Sequence, residues 1–474
     1  MRSATSSGST TSRARRTAYR WRASPLRRRR SPRRGQRSTP SPAADAALPR
    51  TRRRRTPGAA GRRGRRESVA RPVPRGARRR RSGRDACASG RAPSARRKAD
   101  RARDVLLSAA TATWAAVRAR RLARQSLLVP SADLVAVARA TCGIHAQVQV
   151  AAELSLSARV EALTRQDVRD ALWRDRSLVK AWTLRGTLHL HPADELPLWL
   201  AARRAVIGPG PHELPEWRDP HGVVHAAVGA DELEEIEAAV WDVLDGRCLL
   251  RQELGEEVAR RVGAKHRARL HSGFAFFTAQ LCQGPPQGSK ITFVRPDRWI
   301  RDWPPVDEQE ALTEVCRRFL AVYGPARPVD FKQWFGNASF DRLDVEEIDV
   351  EGHRAFVLAG DTTFPEPSQS LRLLPEYDVY VMGFRERDQL VPADVRELVA
   401  AHGRGKYEGP AGVRFVIIDG VARGLWERKT HGKKLDLSVT LAAKPTRAQR
   451  AELEGEAERI GAALGLAPIL RVAS

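Results

Sequence analysis

Three features of the sequence predict an α+β fold. After residue 103, helical periodicity followed by a short alternating segment recurs three times. An antiparallel pattern with a hairpin turn lies near the C-terminus, and the first hundred residues are rich in Arg, Ser, Pro and Gly. A helix-turn-helix followed by a two-stranded wing is the pattern of a winged helix. We therefore expect tandem winged-helix units, a C-terminal antiparallel sheet and a closing helix, preceded by a disordered Arg-rich tail.

The predicted tail, residues 1–103, contains nearly all of the excess positive charge. Residues 1–100 hold 33 Lys and Arg against 4 Asp and Glu, and the remaining residues hold 51 of each. The tail has too few large apolar residues to offset the loss of chain entropy on ordering, and we therefore expect it to be disordered. One interpretation is a basic arm that binds phosphates without sequence preference. The other is a mis-called start codon, because Lys98 is the only Lys among the Arg residues, as translated GC-rich upstream DNA would give.

The first predicted unit, residues 104–205, contains three helices and an extended segment. Ser131 and Thr164 are candidate N-caps, because their side-chain oxygens can accept hydrogen bonds from free backbone N–H groups. We expect helices over residues 105–122 and 132–141 and from Thr164 to Arg174, with extended backbone over residues 178–190.

The second predicted unit, residues 206–305, repeats this pattern. An acidic amphipathic helix is expected over residues 231–244, followed by helices over residues 251–262 and 271–282. Residues 283–288 are rich in Gly and Pro and predict a loop. Residues 290–294 would then form the wing.

The third predicted unit, residues 306–474, ends differently from the first two. Helices are expected over residues 308–323 and 328–335 and a strand over residues 355–358. Strands over residues 413–419, 420–426 and 435–439 predict an antiparallel sheet, with Asp419-Gly420 as a hairpin turn. A closing helix is expected over residues 447–464.

The cysteines and the hydropathy limit the class of protein. The five cysteines are odd in number and widely spaced, so they predict neither a disulfide framework nor a zinc site. No apolar segment is long enough for a signal peptide core or a membrane span. We expect a monomeric cytoplasmic protein without a cofactor or metal. The cysteines are Cys87, Cys142, Cys248, Cys282 and Cys316.

One short segment places two hydrogen-bonding side chains on the same face of an extended backbone. His145 and Gln147 flank Ala146 in an H-Φ-Q pair, where Φ is apolar, and such a pair can hold a water molecule. Gln147 and Gln149 form an overlapping Q-Φ-Q pair. Polar pairs usually brace a loop, so from the residues alone the structural interpretation is favoured.

The sequence around this pair resembles the AlkZ-like group of winged-helix DNA-binding proteins, which are bacterial DNA glycosylases. Their signature is Q-Φ-Q, Q-Φ-D or H-Φ-Q, followed at a fixed distance by an apolar run that ends in Arg. The run here ends at Arg159, and its distance favours the H-Φ-Q register. The resemblance extends from about residue 105 to the C-terminus. Further similar stretches are residues 182–189, 328–336, 373–378, 419–421 and 424–426.

The resemblance implies an enzyme that removes bulky N-alkylated or crosslinked purines from duplex DNA. His145 would position or partly deprotonate a water, since imidazole titrates near neutral pH. Gln147 would accept a hydrogen bond from that water with its carbonyl and donate another to the substrate. This chemistry is weaker than that of a carboxylate, which suits a cationic alkylpurine as the leaving group. We expect Glu153 and Arg159 to form a buried brace behind the pair, and Asp378 to be structural.

Basic and polar residues elsewhere are candidate DNA contacts. Arg185, Thr187 and His189 alternate, so a strand would place them on one face, although Arg185 could instead pair with Asp194 or Glu195. Two basic clusters lie near the second wing and the last hairpin, where they would contact phosphates or form solvated faces. They are Lys265, Arg267, Arg269, Lys290, Arg295 and Arg298, and Arg428, Lys429, Lys433 and Lys434.

A second class of function stays open, that of a winged-helix protein which binds duplex DNA without cutting it, such as a transcriptional regulator. Three units in one chain favour a cradle around damaged double-stranded DNA, and hence an enzyme at the nucleoid. The sequence contains no H-E-x-x-H, G-x-x-x-x-G-K-[ST] or G-x-S-x-G motif, so no other catalytic class is indicated.

Overall fold

The computed structural model of the protein describes residues 110–207, 213–272, 280–401 and 412–473, and the predicted tail lies outside them. Helices alternate with open sheets along these ranges, so the α+β class is confirmed. No helix within them is long and apolar enough to cross a membrane. The helices are α1 (Trp114–Arg124), α2 (Leu134–Ala140), α3 (Gln149–Ser157), α4 (Arg165–Trp173), α5 (Leu196–Ile207), α6 (Ala230–Val243), α7 (Arg251–Val262), α8 (Arg267–Ser272), α9 (Pro296–Trp299), α10 (Glu308–Tyr323), α11 (Pro328–Trp334), α12 (Val379–Gly383), α13 (Arg387–Leu390), α14 (Ala393–Ala401) and α15 (Arg447–Leu464).

The strands of the described ranges form larger sheets and one separate hairpin. They are β1 (Ala110–Ala112), β2 (Ile144–His145), β3 (Leu178–Trp182), β4 (Leu188–Pro192), β5 (Trp217–Arg218), β6 (Val224–His225), β7 (Leu249–Leu250), β8 (Cys282–Gln287), β9 (Lys290–Val294), β10 (Val345–Val350), β11 (His353–Leu358), β12 (Leu371–Leu374), β13 (Phe415–Ile418), β14 (Val421–His431), β15 (Lys434–Leu441) and β16 (Ala467–Ala473). The strand orders are β2-β4-β3-β8-β9-β7, β12-β13-β14-β15-β16 and β1-β10-β11, with β5-β6 as the hairpin.

The first region differs from its prediction at its start. Residues 105–122 were expected to be one helix, but β1 occupies part of this range and pairs in parallel with β10. Helix α1 begins only at Trp114, because the Thr113 side chain accepts a hydrogen bond from the N–H of Ala116 and caps it. Asp133, and not Ser131, caps α2. The predicted cap of α4 at Thr164 is confirmed.

In the second region, two of the predicted helices are present within the described residues, and a β-hairpin follows them. Helix α7 has its predicted bounds, Arg251–Val262. The loop predicted over residues 283–288 is wrong, because β8 runs through it and pairs with β9 despite its Gly and Pro residues. The helix predicted over residues 271–282 lies mostly outside the described residues, and its last residue, Cys282, begins β8.

The C-terminal region confirms most of its predicted elements. Helices α10 and α15 have their predicted bounds. The turn between β13 and β14 has left-handed φ angles of 52° at Asp419 and 77° at Gly420, as expected of an Asp-Gly hairpin. Strand β16 was not predicted; it pairs in parallel with β15, and α15 forms the connection between them.

The sheets combine strands from different predicted units. The six-stranded sheet takes β2, β3 and β4 from residues 104–205 and β7, β8 and β9 from residues 206–305. Strand β1 belongs to the first range but pairs with β10 of the third. The unit boundaries remain a prediction, and the strands on either side of them share hydrogen bonds.

A buried ion pair joins the end of α3 to the start of α12. The Arg159 guanidinium, fully buried, donates to the two carboxylate oxygens of Asp378 at 2.7 and 2.8 Å. The Ser155 hydroxyl donates to the same carboxylate at 2.7 Å, and Asp378 caps α12 by accepting from the N–H of Tyr380. The partner of Arg159 is therefore Asp378 and not Glu153, and Asp378 is structural as expected.

We expect Asp378→Asn to lower the free energy of unfolding by about 3 kcal/mol, because a nearly isosteric amide keeps an acceptor for the cap but leaves Arg159 as an uncompensated buried charge. Urea denaturation followed by circular dichroism measures the change. Asp133→Asn is the matched control, since Asp133 caps α2 at an exposed position and should change stability by less than about 0.5 kcal/mol. Equal effects of the two substitutions would contradict a stabilising role for the ion pair.

Candidate active site

His145 lies on the short strand β2, where it is opposite His189 of β4. Gly143, the residue before this strand, has a φ of 93°, and a Cβ there would collide with the ring of His191, so only glycine fits this approach. The His145 side chain is 4% exposed, and its Nδ1 atom is buried without a hydrogen-bond partner. A buried imidazole with an unused nitrogen is a candidate to hold a ligand or water.

Two rings pack against His145. The ring of His189 meets it edge-on at 5.1 Å between centroids, and the ring of Tyr377 lies at 5.0 Å with a tilt of 31°. His189 is buried, whereas Tyr377 is partly exposed. Tyr377 therefore forms the side of the site that is nearer to solvent.

The position of Tyr377 is fixed by the residues on either side of it. Its φ of 63° lies in the left-handed region, which is unfavourable for a residue with a side chain. Asp378 is held by Arg159, and Glu376 accepts two hydrogen bonds from Arg414 at 2.6 and 2.9 Å. Sequence reasoning missed Tyr377 as a site residue; its place between two acidic residues that become buried was the available signal.

The environment of His145 makes its imidazole neutral. Burial, and then the positive charges of Arg185 and Lys180, lower the pKa of His145 to about 4. The expectation that this imidazole titrates near neutral pH is therefore wrong. At pH 7 the ring has one N–H donor and one nitrogen acceptor, so it can orient a water but is a weak base.

Gln147 follows the strand and is exposed beside it. Its side-chain carbonyl accepts from the N–H of Leu188 at 3.3 Å, while the N–H of Ala146 donates to the Leu188 carbonyl at 2.7 Å. The amide thus continues the β2–β4 ladder. The hydrogen bond from Leu188 uses one lone pair of the Gln147 side-chain carbonyl and leaves the amide N–H groups available to a ligand.

Gln149, the other member of the Q-Φ-Q pair, is engaged by a buried lysine. The Lys180 ammonium donates to the Gln149 side-chain oxygen at 2.9 Å. Burial lowers the pKa of Lys180 to about 8. Sequence reasoning missed Lys180, although a charged residue at the centre of the apolar strand β3 was a usable signal. The arrangement favours the H-Φ-Q register, because Gln149 already has a charged partner.

The predicted alternation of Arg185, Thr187 and His189 on one strand is wrong. Arg185 lies in a 3₁₀ turn with a φ of 47° and donates to the carbonyl of Trp334. The Thr187 hydroxyl donates to the carbonyl of Leu184 at 3.1 Å. Only His189 is on β4, and its burial against His145 removes it from any surface that could contact DNA.

The alternative pairing of Arg185 with Asp194 or Glu195 is also wrong. Arg139 binds both carboxylates, at 2.9 and 2.5 Å, and Arg318 binds Glu195 as well. Arg185 instead donates to the carbonyl of Trp334, and its charge acts on His145.

The basic cluster of the second region is largely neutralised by acidic neighbours. Arg269 is buried and donates to backbone carbonyls of β6 and the segments around the β5–β6 hairpin, so its prediction as a phosphate contact is wrong. Lys290 is exposed on β9. The ion pairs are Lys265 with Glu232, Arg267 with Glu256, Arg295 with Asp297, and Arg298 with Asp245.

The basic cluster of the last hairpin is mostly exposed. Lys429, Lys433 and Lys434 are exposed at the end of the β14–β15 hairpin. Arg428 is half-buried, and its Nε is buried without a hydrogen-bond partner. Within the described part of the chain, no group of His, Cys, Asp and Glu side chains is arranged to hold a metal ion.

Comparisons with known proteins agree on one family. The family model for DNA glycosylase AlkZ-like proteins matches residues 137–463. The interstrand DNA cross-link repair glycosylase of Streptomyces sahachiroi is 34% identical over 345 residues, which cover 67% of this chain and 88% of the relative. The solved structure of Streptomyces sahachiroi DNA glycosylase AlkZ superposes with a TM-score of 0.59 at 27% identity, covering 77% of this chain and 100% of that one. The chain belongs to the AlkZ-like family of DNA glycosylases.

Proposed function

We propose that the protein hydrolyses the N-glycosidic bond of bulky N-alkylated or crosslinked purines in duplex DNA, as a monofunctional glycosylase. The observation that carries the proposal is His145, a neutral and almost fully buried imidazole with an unused nitrogen, next to Gln147 with available amide donors. The named relative from Streptomyces sahachiroi is a cross-link repair enzyme, which supports the same class of substrate.

The chemistry divides between the two side chains. The bond from C1′ to the purine nitrogen breaks with its electron pair leaving on the base, and a water oxygen forms the new bond to C1′. His145 holds this water by accepting its hydrogen bond, and Gln147 donates to an oxygen of the substrate. A base of such low pKa removes little of the proton before the C–O bond forms; once the bond has formed, the cationic oxygen gives its proton to His145, which passes it to solvent. The division therefore suits an alkylpurine that is already cationic and leaves as a neutral molecule.

Other regions of the protein would bind the DNA. In the second region, the described elements α6, β7, α7, α8 and β8–β9 support a winged-helix assignment, in which α8 would belong to the recognition helix and β8–β9 would form the wing. We assign phosphate contacts to exposed Lys290 on the wing and to Lys429, Lys433 and Lys434 on the β14–β15 hairpin. The protein would act as a monomer on damaged double-stranded DNA of the nucleoid.

A non-catalytic winged-helix protein is the alternative function. The two functions differ in whether the H-Φ-Q pair contributes to a rate, because both bind duplex DNA. Gln149 provides an internal control, since it belongs to the competing Q-Φ-Q register and is held by Lys180.

We expect the full-length protein to release base from duplex DNA that carries an N7-alkylguanine or a nitrogen-mustard crosslink, measured under single-turnover conditions. His145→Ala and Gln147→Ala should each lower the rate constant at least tenfold, about 1.4 kcal/mol of transition-state stabilisation, whereas Gln149→Ala should lower it less than about threefold. Full activity of both variants would exclude the pair as the catalytic centre. Duplex binding without any base release by the parent would favour the alternative function.

We expect the single-turnover rate constant to change less than about twofold between pH 5.5 and 7.5. The active form of His145 is neutral, so its contribution is present above its pKa of about 4 and is lost only as the pH falls through that value. If the imidazole had the usual pKa near 6.5, the rate constant would instead be about tenfold lower at pH 5.5 than at pH 7.5. The comparison ends at pH 7.5, below the Lys180 pKa of about 8, so that most of the Lys180 side chains keep their charge. A fall centred near pH 6.5 would contradict the assignment.

A further inference from the structure

A group of guanidiniums surrounds Glu153 of α3, the helix that follows the H-Φ-Q pair. Arg165 and Arg169 lie one turn apart on α4, so their side chains extend from the same face of the helix. Both donate to Glu153 of α3, at 3.2 and 3.3 Å. Their side chains are 37% and 40% exposed, whereas that of Glu153 is buried. The two arginines thus share one buried carboxylate and reach the surface.

The positive charge around Glu153 exceeds what this carboxylate can neutralise. Arg428 is close enough to both Arg165 and Glu153 for their charges to act on its pKa, which burial lowers, and its Nε has no hydrogen-bond partner. The charge of Glu153 also acts on Lys180. Glu376, the next carboxylate near Arg428, is already bound by both arms of Arg414. Several cations therefore face one shared acid in this part of the described structure.

The location of the group connects it to the site. Glu153 is one helical turn after Gln149, the first residue of α3, and His145 and Gln147 immediately precede that helix. Helix α3 has no side-chain cap at Val148, so its free N–H groups add positive potential at the same end. A ligand on the guanidiniums would thus lie at Glu153, on the helix that directly follows the H-Φ-Q pair.

The hydrogen bonds to Glu153 leave the arginines free to bind a second anion. Each guanidinium gives Glu153 one long contact, whereas Arg414 gives Glu376 two contacts of 2.6 and 2.9 Å. A guanidinium has five N–H donors in a planar fork that matches two oxygens of a phosphate. An anion between the arginines would also relieve the repulsion between like charges.

We propose that Arg165 and Arg169, together with the nearby Arg428, bind a backbone phosphodiester of the DNA strand close to the nucleotide that is processed. The identity of this ligand rests on the proposed function, because a phosphodiester is the anion that a duplex substrate brings to the site. The contact positions the strand and carries no sequence information. Arg428 links this contact to the β14–β15 hairpin, whose lysines lie towards its exposed end.

The test is the salt dependence of binding of the full-length protein to an undamaged duplex of about 20 base pairs, followed by fluorescence anisotropy. We expect Arg165→Gln with Arg169→Gln to reduce the slope of log K against log salt by about 1 to 2 and to weaken binding about tenfold at 0.1 M NaCl. The matched control, Arg174→Gln with Arg317→Gln, removes two exposed arginines that pair with other acids, and Arg174 directly follows α4. Its slope should change by less than about 0.3.

A third variant separates binding from folding. Arg165→Lys with Arg169→Lys keeps the charges and should restore the slope, while the loss of the planar fork leaves the affinity below that of the parent. Equal slopes for the Gln pair and the control pair, at unchanged thermal stability, would overturn the proposal. The proposal would also be overturned if the variant with Arg165→Lys and Arg169→Lys folds but does not restore the slope. Base release is measured separately, so a parent that releases no base but shows the expected slopes would refute the glycosylase chemistry and support the phosphate site.

Discussion

The geometry of the site depends on the ion pair between Arg159 and Asp378. Desolvating two charges is costly, and here the cost is offset by a bidentate contact, by the Ser155 hydroxyl and by the N–H that Asp378 caps. The pair ties the helix that follows the H-Φ-Q segment to a residue more than two hundred positions later. Because Tyr377 precedes Asp378, the same interaction sets the aromatic surface against His145.

Charge and burial then determine what chemistry is possible. The site contains Lys180 in its interior and Arg185 at its surface, and together with burial they keep His145 neutral. Positive groups oppose the cationic sugar that forms as a glycosidic bond breaks. A phosphodiester held by Arg165 and Arg169 would bring compensating negative charge from the substrate itself. Under our proposals, the protein is electrostatically complementary to the reaction only when DNA is bound.

The sequence contained the local elements but not the contacts between distant segments. Helices α7, α10 and α15 have their predicted bounds because periodicity and capping residues are local signals. Strands β1 and β16 were missed because each is defined by a parallel partner strand. The pKa of His145 and the burial of Arg269 also depend on residues far along the chain, so composition and spacing could not give them. The H-Φ-Q pair itself was found through its resemblance to a family.

The six-stranded sheet has a mechanical consequence. Strand β3 is hydrogen-bonded on one side to β4, which carries His189 beside His145, and on the other side to β8 of the β8–β9 hairpin. Backbone hydrogen bonds connect each strand to the next from β8 through β3 and β4 to β2, which carries His145, so no flexible linker lies between the hairpin and the imidazole. If the β8–β9 hairpin binds DNA, the sheet holds this contact a fixed number of strands from the site of bond cleavage. The two sites would then be a fixed distance apart along the duplex.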